Sequence, residues 1–191
     1  MSGDRRAGEL RELARSINDP SYPARALELA RGMRGATPPV IVSACLLGAK
    51  ARYDGGDRRT EAVERAVADD AVLPLCPELL AGLGCPRAPV HFARGDGDDL
   101  ARDPRAAQVL DDAGVDRSAA LLEGARRALA LAQAAGARAA ILKERSPSCG
   151  CHEIHTGGGV ADGRGVFAAL AMRSGITCRS EEDLGPPRSR R

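Results

Sequence analysis

Short apolar runs and longer amphipathic stretches alternate along most of this chain. Val40-Ile41-Val42-Ser43-Ala44 predicts a buried strand, residues 60–68 have the spacing of a helix, and Val72-Leu73-Pro74-Leu75 predicts a second strand. Residues 118–135 follow as a long amphipathic helix, then Ala139-Ala140-Ile141-Leu142 as a third strand, residues 166–173 as a helix and Ile176-Thr177-Cys178 as a last short strand. Strands alternating with helices imply βαβ units and a parallel sheet covered on both faces. The expected fold is therefore α/β, a three-layer sandwich with a mainly parallel sheet.

The ends and one internal stretch stand apart. Residues 1–37 predict a helical extension: Leu10, Leu13, Ala14 and Ile17 share a face before Asn18-Asp19-Pro20, and Leu27, Ala30 and Met33 precede Gly35 and the Pro38-Pro39 linker. Such helices pack on the domain's flank, join two copies or close over a site. Residues 83–116 are rich in Gly, Pro and Asp and are expected to be a long binding loop or insert. Residues 38–184 then form one α/β domain, and residues 185–191 a frayed tail.

Composition narrows the class. The chain is 43% hydrophobic and 28% charged, ordinary for a folded protein, but only 2% aromatic, so Ala, Val, Leu and Ile must fill the core. A net charge of +2, with basic residues nearly all Arg interleaved with acids, gives no large nucleic-acid footprint. The scarcity of aromatic stacking partners also argues against a module that binds thiolated RNA. No run is long and apolar enough for a membrane span, and the N-terminus lacks a secretory apolar region. The expected location is the cytoplasm, where six cysteines are more suited to metal binding or reaction than to disulfides.

The positions of those cysteines matter more than their number. Cys45 follows the first strand, Cys76 the second, and Cys149 lies shortly beyond the third. In an open parallel sheet the crevice outside the carboxyl ends of the strands is the functional edge, and all three would converge there. One alternative is that each is a small buried hydrophobe; the other is a metal or cluster site. Glu78 lies beside Cys76, and Ser146 and Ser148 flank the approach to Cys149. Cys178 is expected in the core and Cys85 in a local turn, with His91 and Asp96 facing solvent. Cys151 with His152 and His155 raises a second metal possibility.

Val42-Ser43-Ala44-Cys45-Leu46-Leu47-Gly48 with Arg52-Tyr53-Asp54-Gly55-Gly56, Leu75-Cys76-Pro77-Glu78 with Pro86-Arg87, and Ile141-Leu142-Lys143 through Ser146-Pro147-Ser148-Cys149-Gly150 together resemble the thiouracil desulfurase family. The resemblance runs from about Val40 to Glu182. It implies a 4Fe-4S cluster held by Cys45, Cys76 and Cys149 with one iron left open, and a non-redox desulfuration of a small thiolated molecule such as 2-thiouracil that releases sulfide. Asp116-Arg117-Ser118, Leu121 and the ligand-rich stretch Cys151-His152-Glu153-Ile154-His155 depart from the family pattern.

Soft thiolates suit iron-sulfur clusters, and an open coordination position is where a soft thiocarbonyl sulfur can bind. On this reading Glu78 relays protons between water and the departing heterocycle, and Ser146 or Ser148 holds or polarises the ring. Lys143 is a further candidate for the chemistry. Ser43, Asp54 and Arg87 are candidates for binding substrate. The competing reading is a structural or regulatory metal protein in which Cys151 or His152 adds a fourth ligand and closes a zinc or iron-sulfur site.

Overall fold

The computed structural model describes residue 17, residues 22–33 and residues 37–185. The helix expected around Leu10, Leu13 and Ala14 lies outside the described residues, as does the tail beyond residue 185. In chain order the elements are α1 (Tyr22–Gly32), β1 (Val40–Ser43), α2 (Glu61–Ala66), β2 (Val72–Leu75), α3 (Pro77–Leu80), β3 (Val90–Arg94), α4 (Gly97–Arg102), β4 (Gln108–Asp111), α5 (Ser118–Ala134), β5 (Ala139–Leu142), β6 (Glu153–Thr156), β7 (Gly159–Asp162), α6 (Val166–Arg173) and β8 (Thr177–Ser180). Single 3₁₀ turns follow β1 at Ala44–Leu47 and β8 at Glu181–Leu184.

The main sheet has the order β2-β1-β5-β8 with every pair parallel. Ile41 and Val42 point to opposite faces of β1 and both are fully buried, so helices must cover the sheet on both sides. One group of helices packs around α5, which contacts α1, α3 and α6, while α2 packs against the two 3₁₀ turns. With few aromatics available, α5 buries its inner face through Ala125, Ala128 and Ala132, and the helices approach closely. Within the N-terminal extension, α1 is part of this packing: Ala26 and Ala30 are fully buried, and the buried Tyr22 donates its hydroxyl to the Pro74 carbonyl at 3.1 Å.

The stretch expected to be a long loop is ordered instead. It contributes β3 and β4 to a second sheet of order β4-β3-β6-β7, in which β3 and β6 are parallel and the other pairs antiparallel. Val90 and Phe92 are buried and His91 is only partly so, an alternation that a three-position run among Gly, Pro and Asp residues does not announce. The second sheet forms its hairpin β6-β7 immediately beyond Cys149, which places it beside the carboxyl edge of the main sheet.

Two close approaches hold the parts that will form the site. A Cβ at Gly124 of α5 would lie 2.2 Å from the Pro77 carbonyl oxygen and 2.7 Å from the Ala81 Cβ, so only glycine allows α5 to seat α3 behind Cys76. At α6 the first amides donate to the preceding loop, Val166 N to Pro147 O at 2.9 Å and Phe167 N to Ser148 O at 2.8 Å, and a Cβ at Gly165 would fall 2.4 Å from the Ser148 carbonyl carbon. The loop is gripped on its far side by Glu144, a buried carboxylate whose Oε1 accepts from the amides of Cys151 (3.1 Å), His152 (3.1 Å) and Glu153 (2.9 Å). Burial opposes its ionised form, but the Glu153 and His152 amides and the Ser180 hydroxyl outweigh that, and the Glu144 carboxyl is held below the usual carboxylate range.

Gly124→Ala should therefore lower Tm by the equivalent of about 1–3 kcal/mol, the usual size of overpacking. Gly158→Ala, whose new Cβ meets only the Thr156 hydroxyl at 3.9 Å, should leave Tm in place. For Glu144 the depressed folded-state pKa fixes the sign: its contribution is full above the ordinary carboxylate pKa and is lost as pH falls through the lower, folded value. Thermal unfolding followed from about pH 7 to about pH 3 should thus show a steeper acid decline in the wild type than in Glu144→Gln. Parallel curves for the two proteins would contradict the assignment.

Candidate active site

Because the strands of the main sheet run in one direction, the residues that follow them gather on one edge. Cys45 sits in the 3₁₀ turn after β1, Cys76 precedes α3 directly after β2, and Cys149 lies in the loop after β5. All three line one cavity of about 660 Å³. Burial pushes the Cys45 thiol up to about 12, with Cys76 adding to the shift, and pushes Cys76 up to about 11, with Glu78 adding. Burial likewise raises Cys149 well above an ordinary thiol; the Ser43 hydroxyl favours its thiolate, whereas Cys76, Cys45 and Glu78 oppose it. The three sulfurs are thus within electrostatic reach of one another. Ser43, expected to touch substrate, is 3% exposed at the cavity wall and accepts the Lys143 amide at 3.0 Å.

Glu78 enters the cavity from the first turn of α3 with both oxygens engaged. Its Oε1 accepts from the Ser148 hydroxyl at 3.0 Å, and its Oε2 accepts from Arg87 Nε at 2.8 Å and Nη2 at 2.5 Å. Arg87 also donates to the carbonyls of Gly84 (2.8 Å) and Ala51 (3.0 Å), so every guanidinium nitrogen is committed within the protein. Its geometry is that of a clamp on Glu78. Ser148, 1% exposed, does not line the cavity and stands behind the carboxylate. Ser146 does line it, and its Oγ accepts the amides of Ser148 and Cys149 at 3.2 Å each, which leaves the hydroxyl proton available to the cavity.

The remaining candidates divide. Lys143 lines the cavity, its Nζ donating to the Glu144 carbonyl at 3.1 Å and pairing with Glu181. Asp54 does not reach it: the residue is exposed, accepts from Arg52 and the Gly56 amide, and its carboxyl is held low chiefly by Arg52. Arg52, Tyr53 and Arg58 line the wall instead. His91, expected to face solvent, lines the cavity from β3, as do His155 and Thr156 from the neighbouring β6. The sequence offered His155 only as a partner of Cys151 and His152 in a second metal site, and the structure separates it from both, since neither lines the cavity. His91 and Thr156 were not anticipated there, because the sheet that carries them was not legible. Asp96 has a structural role, its Oδ1 accepting from the Asp99 amide at 3.0 Å to cap α4.

The other cysteines stand outside the cavity. Cys151 is buried, its Sγ 3.9 Å from the Cys149 carbonyl oxygen; Cys178 is in β8; the Cys85 thiol faces the carbonyls of Lys50 (2.9 Å) and Arg52 (3.2 Å). His152 is exposed and paired with Asp183 at 3.0 Å. Among the described residues no three His, Cys, Asp or Glu side chains are grouped tightly enough to hold a single ion. A closed four-ligand zinc site completed by Cys151 or His152 is therefore not favoured. Three soft thiols spread around a roomy wall fit a multi-iron cluster, which offers a separate corner to each ligand.

A family model described as 2-thiouracil desulfurase matches residues 40–183. Uncharacterized protein YbbK of Bacillus subtilis (strain 168) is 37% identical over 148 residues, which is 76% of this chain and 97% of that protein. The solved structure of the [4Fe-4S]-dependent thiouracil desulfidase TudS superposes with a TM-score of 0.65 at 37% identity, covering 78% of this chain and 93% of that one. The matched stretch opens at β1, closes in the last 3₁₀ turn and contains every residue around the thiol-lined cavity, and on that basis the chain belongs to the 2-thiouracil desulfurase family.

Proposed function

We propose that this protein is a desulfidase that replaces the sulfur of a small thiolated substrate such as 2-thiouracil with oxygen from water, without net electron transfer. The observation that carries the reading is the convergence of Cys45, Cys76 and Cys149 with Glu78 in one cavity at the carboxyl edge of the parallel sheet. The three thiols would hold a 4Fe-4S cluster with one iron left free of protein ligands. When bound, that cluster supplies a Lewis-acidic site for a soft thiocarbonyl sulfur.

The protein's own groups handle the protons and the ring. Glu78 Oε1 accepts one hydrogen bond, from Ser148, and keeps a second lone pair for a water molecule in the cavity. It takes a proton from that water and returns it to the heterocycle, with Arg87 and Ser148 fixing the carboxylate throughout. The Ser146 hydroxyl and the Lys143 ammonium donate toward the ring. The products are the oxygenated base and sulfide, so atoms balance with water as the only co-reactant.

An anaerobic preparation should contain iron and sulfide and should convert 2-thiouracil to uracil plus sulfide with no electron donor added. Cys45→Ser, Cys76→Ser and Cys149→Ser should each lose the iron, whereas Cys151→Ala and Cys178→Ser should keep it; full iron retention in any of the first three removes that residue from the ligand set. Separately, Glu78→Gln should keep the cluster absorption while turnover falls by about 10²–10⁴-fold, the range of a general acid-base contribution. Near-normal turnover in cluster-replete Glu78→Gln would refute the proton relay.

A further inference from the structure

The first acid of the last 3₁₀ turn, Glu181, reaches back to the end of β5. One of its oxygens pairs with Lys143 Nζ, and Oε2 accepts the Glu144 amide at 2.7 Å. The two side chains are 19% and 12% exposed, so this pair works in a drier setting than a surface ion pair. The turn is itself anchored: Glu182 holds Arg145 through contacts of 2.7 and 3.1 Å, and Asp183 accepts from the Ser180 amide at 2.7 Å and pairs with His152. From the other side, the Lys143 amide is fixed on Ser43.

An ammonium carries three N–H donors. Glu181 and the Glu144 carbonyl take two of them, and Lys143 lines the cavity with the third unclaimed among the described residues. The charge also reaches the thiols, since Lys143 favours and Glu181 opposes the Cys45 thiolate. We propose that Glu181 is a positioning residue, which pins the Lys143 ammonium on the cavity wall so that its remaining N–H meets an oxygen or anionic nitrogen of the heterocycle as sulfur departs. The catalytic part of this inference rests on the desulfidase reading; the pinning does not.

The chain has two lysines, Lys50 and Lys143, of which Lys50 is exposed, so amine acylation of the anaerobic holoenzyme read by mass spectrometry reports on Lys143 against an internal reference. Lys143 should be modified at least about 10-fold more slowly than Lys50, and Glu181→Gln should remove most of that protection, in line with a charged hydrogen bond. With 2-thiouracil, Lys143→Met should lower kcat by about 10²-fold and Glu181→Gln by about 10-fold at little change in KM. The double variant should be no slower than Lys143→Met, because Glu181 acts through that lysine. Equal acylation of both lysines in the wild type, unchanged protection in Glu181→Gln, or losses that multiply in the double variant would each overturn the proposal. A wild type that keeps Lys143 protected but turns over no thiolated base would count against the desulfidase reading and leave the pinning supported.

Discussion

Three thiols facing one partly dry cavity are an unfavourable arrangement for the bare protein. Each loses solvation as a thiolate, and nearby negative charge adds to that cost, from neighbouring thiols at Cys45 and Cys149 and from Glu78 at Cys76, so all three have raised pKa values. A shared cationic centre reverses that balance, since metal binding removes the protons and gives the charge a partner. On the proposed ligation, the scaffold would have to hold three protonated thiols in place before a cluster binds. Much of the domain's geometry serves that need.

Parallel strands meet the requirement simply, because strand ends that are remote in sequence are adjacent in space. The turns after β1, β2 and β5 are then locked independently: the first by its own 3₁₀ geometry, the second by α5 pressing through Gly124 onto α3, and the third between the α6 amides and the Glu144 carboxylate. Failure of one lock would displace a single thiol and spoil the whole set. The second sheet has a different task. It closes the cavity with His91, His155 and Thr156, which makes a pocket from what would otherwise be an open sheet edge.

Around the thiols, the acids and bases are paired before any substrate enters. Glu78 is fixed by Arg87 and Ser148, and Lys143 by Glu181 and the Glu144 carbonyl. In a site of low dielectric such pairing prevents a lone charge from collapsing onto the nearest thiolate, and it leaves single donors and lone pairs aimed into the cavity. The groups proposed to react are thus organised in advance, which would limit the rearrangement that the proposed reaction requires.

The sequence alone determined the α/β class, the parallel strands and the edge on which Cys45, Cys76 and Cys149 meet, because runs such as Val40–Val42 and Ala139–Leu142 are apolar on both faces and mark their own ends. It also singled out Glu78, Lys143, Ser146 and Ser43, through motifs adjacent to those strand ends. The second sheet was hidden for the opposite reason. Its strands are half exposed, with β7 exposed throughout, so neighbours rather than periodicity stabilise them; His91 was therefore expected in solvent and His155 was read as a partner of Cys151 rather than as part of the cavity wall. Tertiary structure alone reassigned Arg87 from substrate to Glu78, placed Ser148 behind that carboxylate, left Asp54 and Cys151 outside the cavity, and brought Glu181 to Lys143 across 38 positions. Local pattern records which face of an element is buried; which polar atoms meet there depends on approach angles and loop paths that the fold supplies only as a whole.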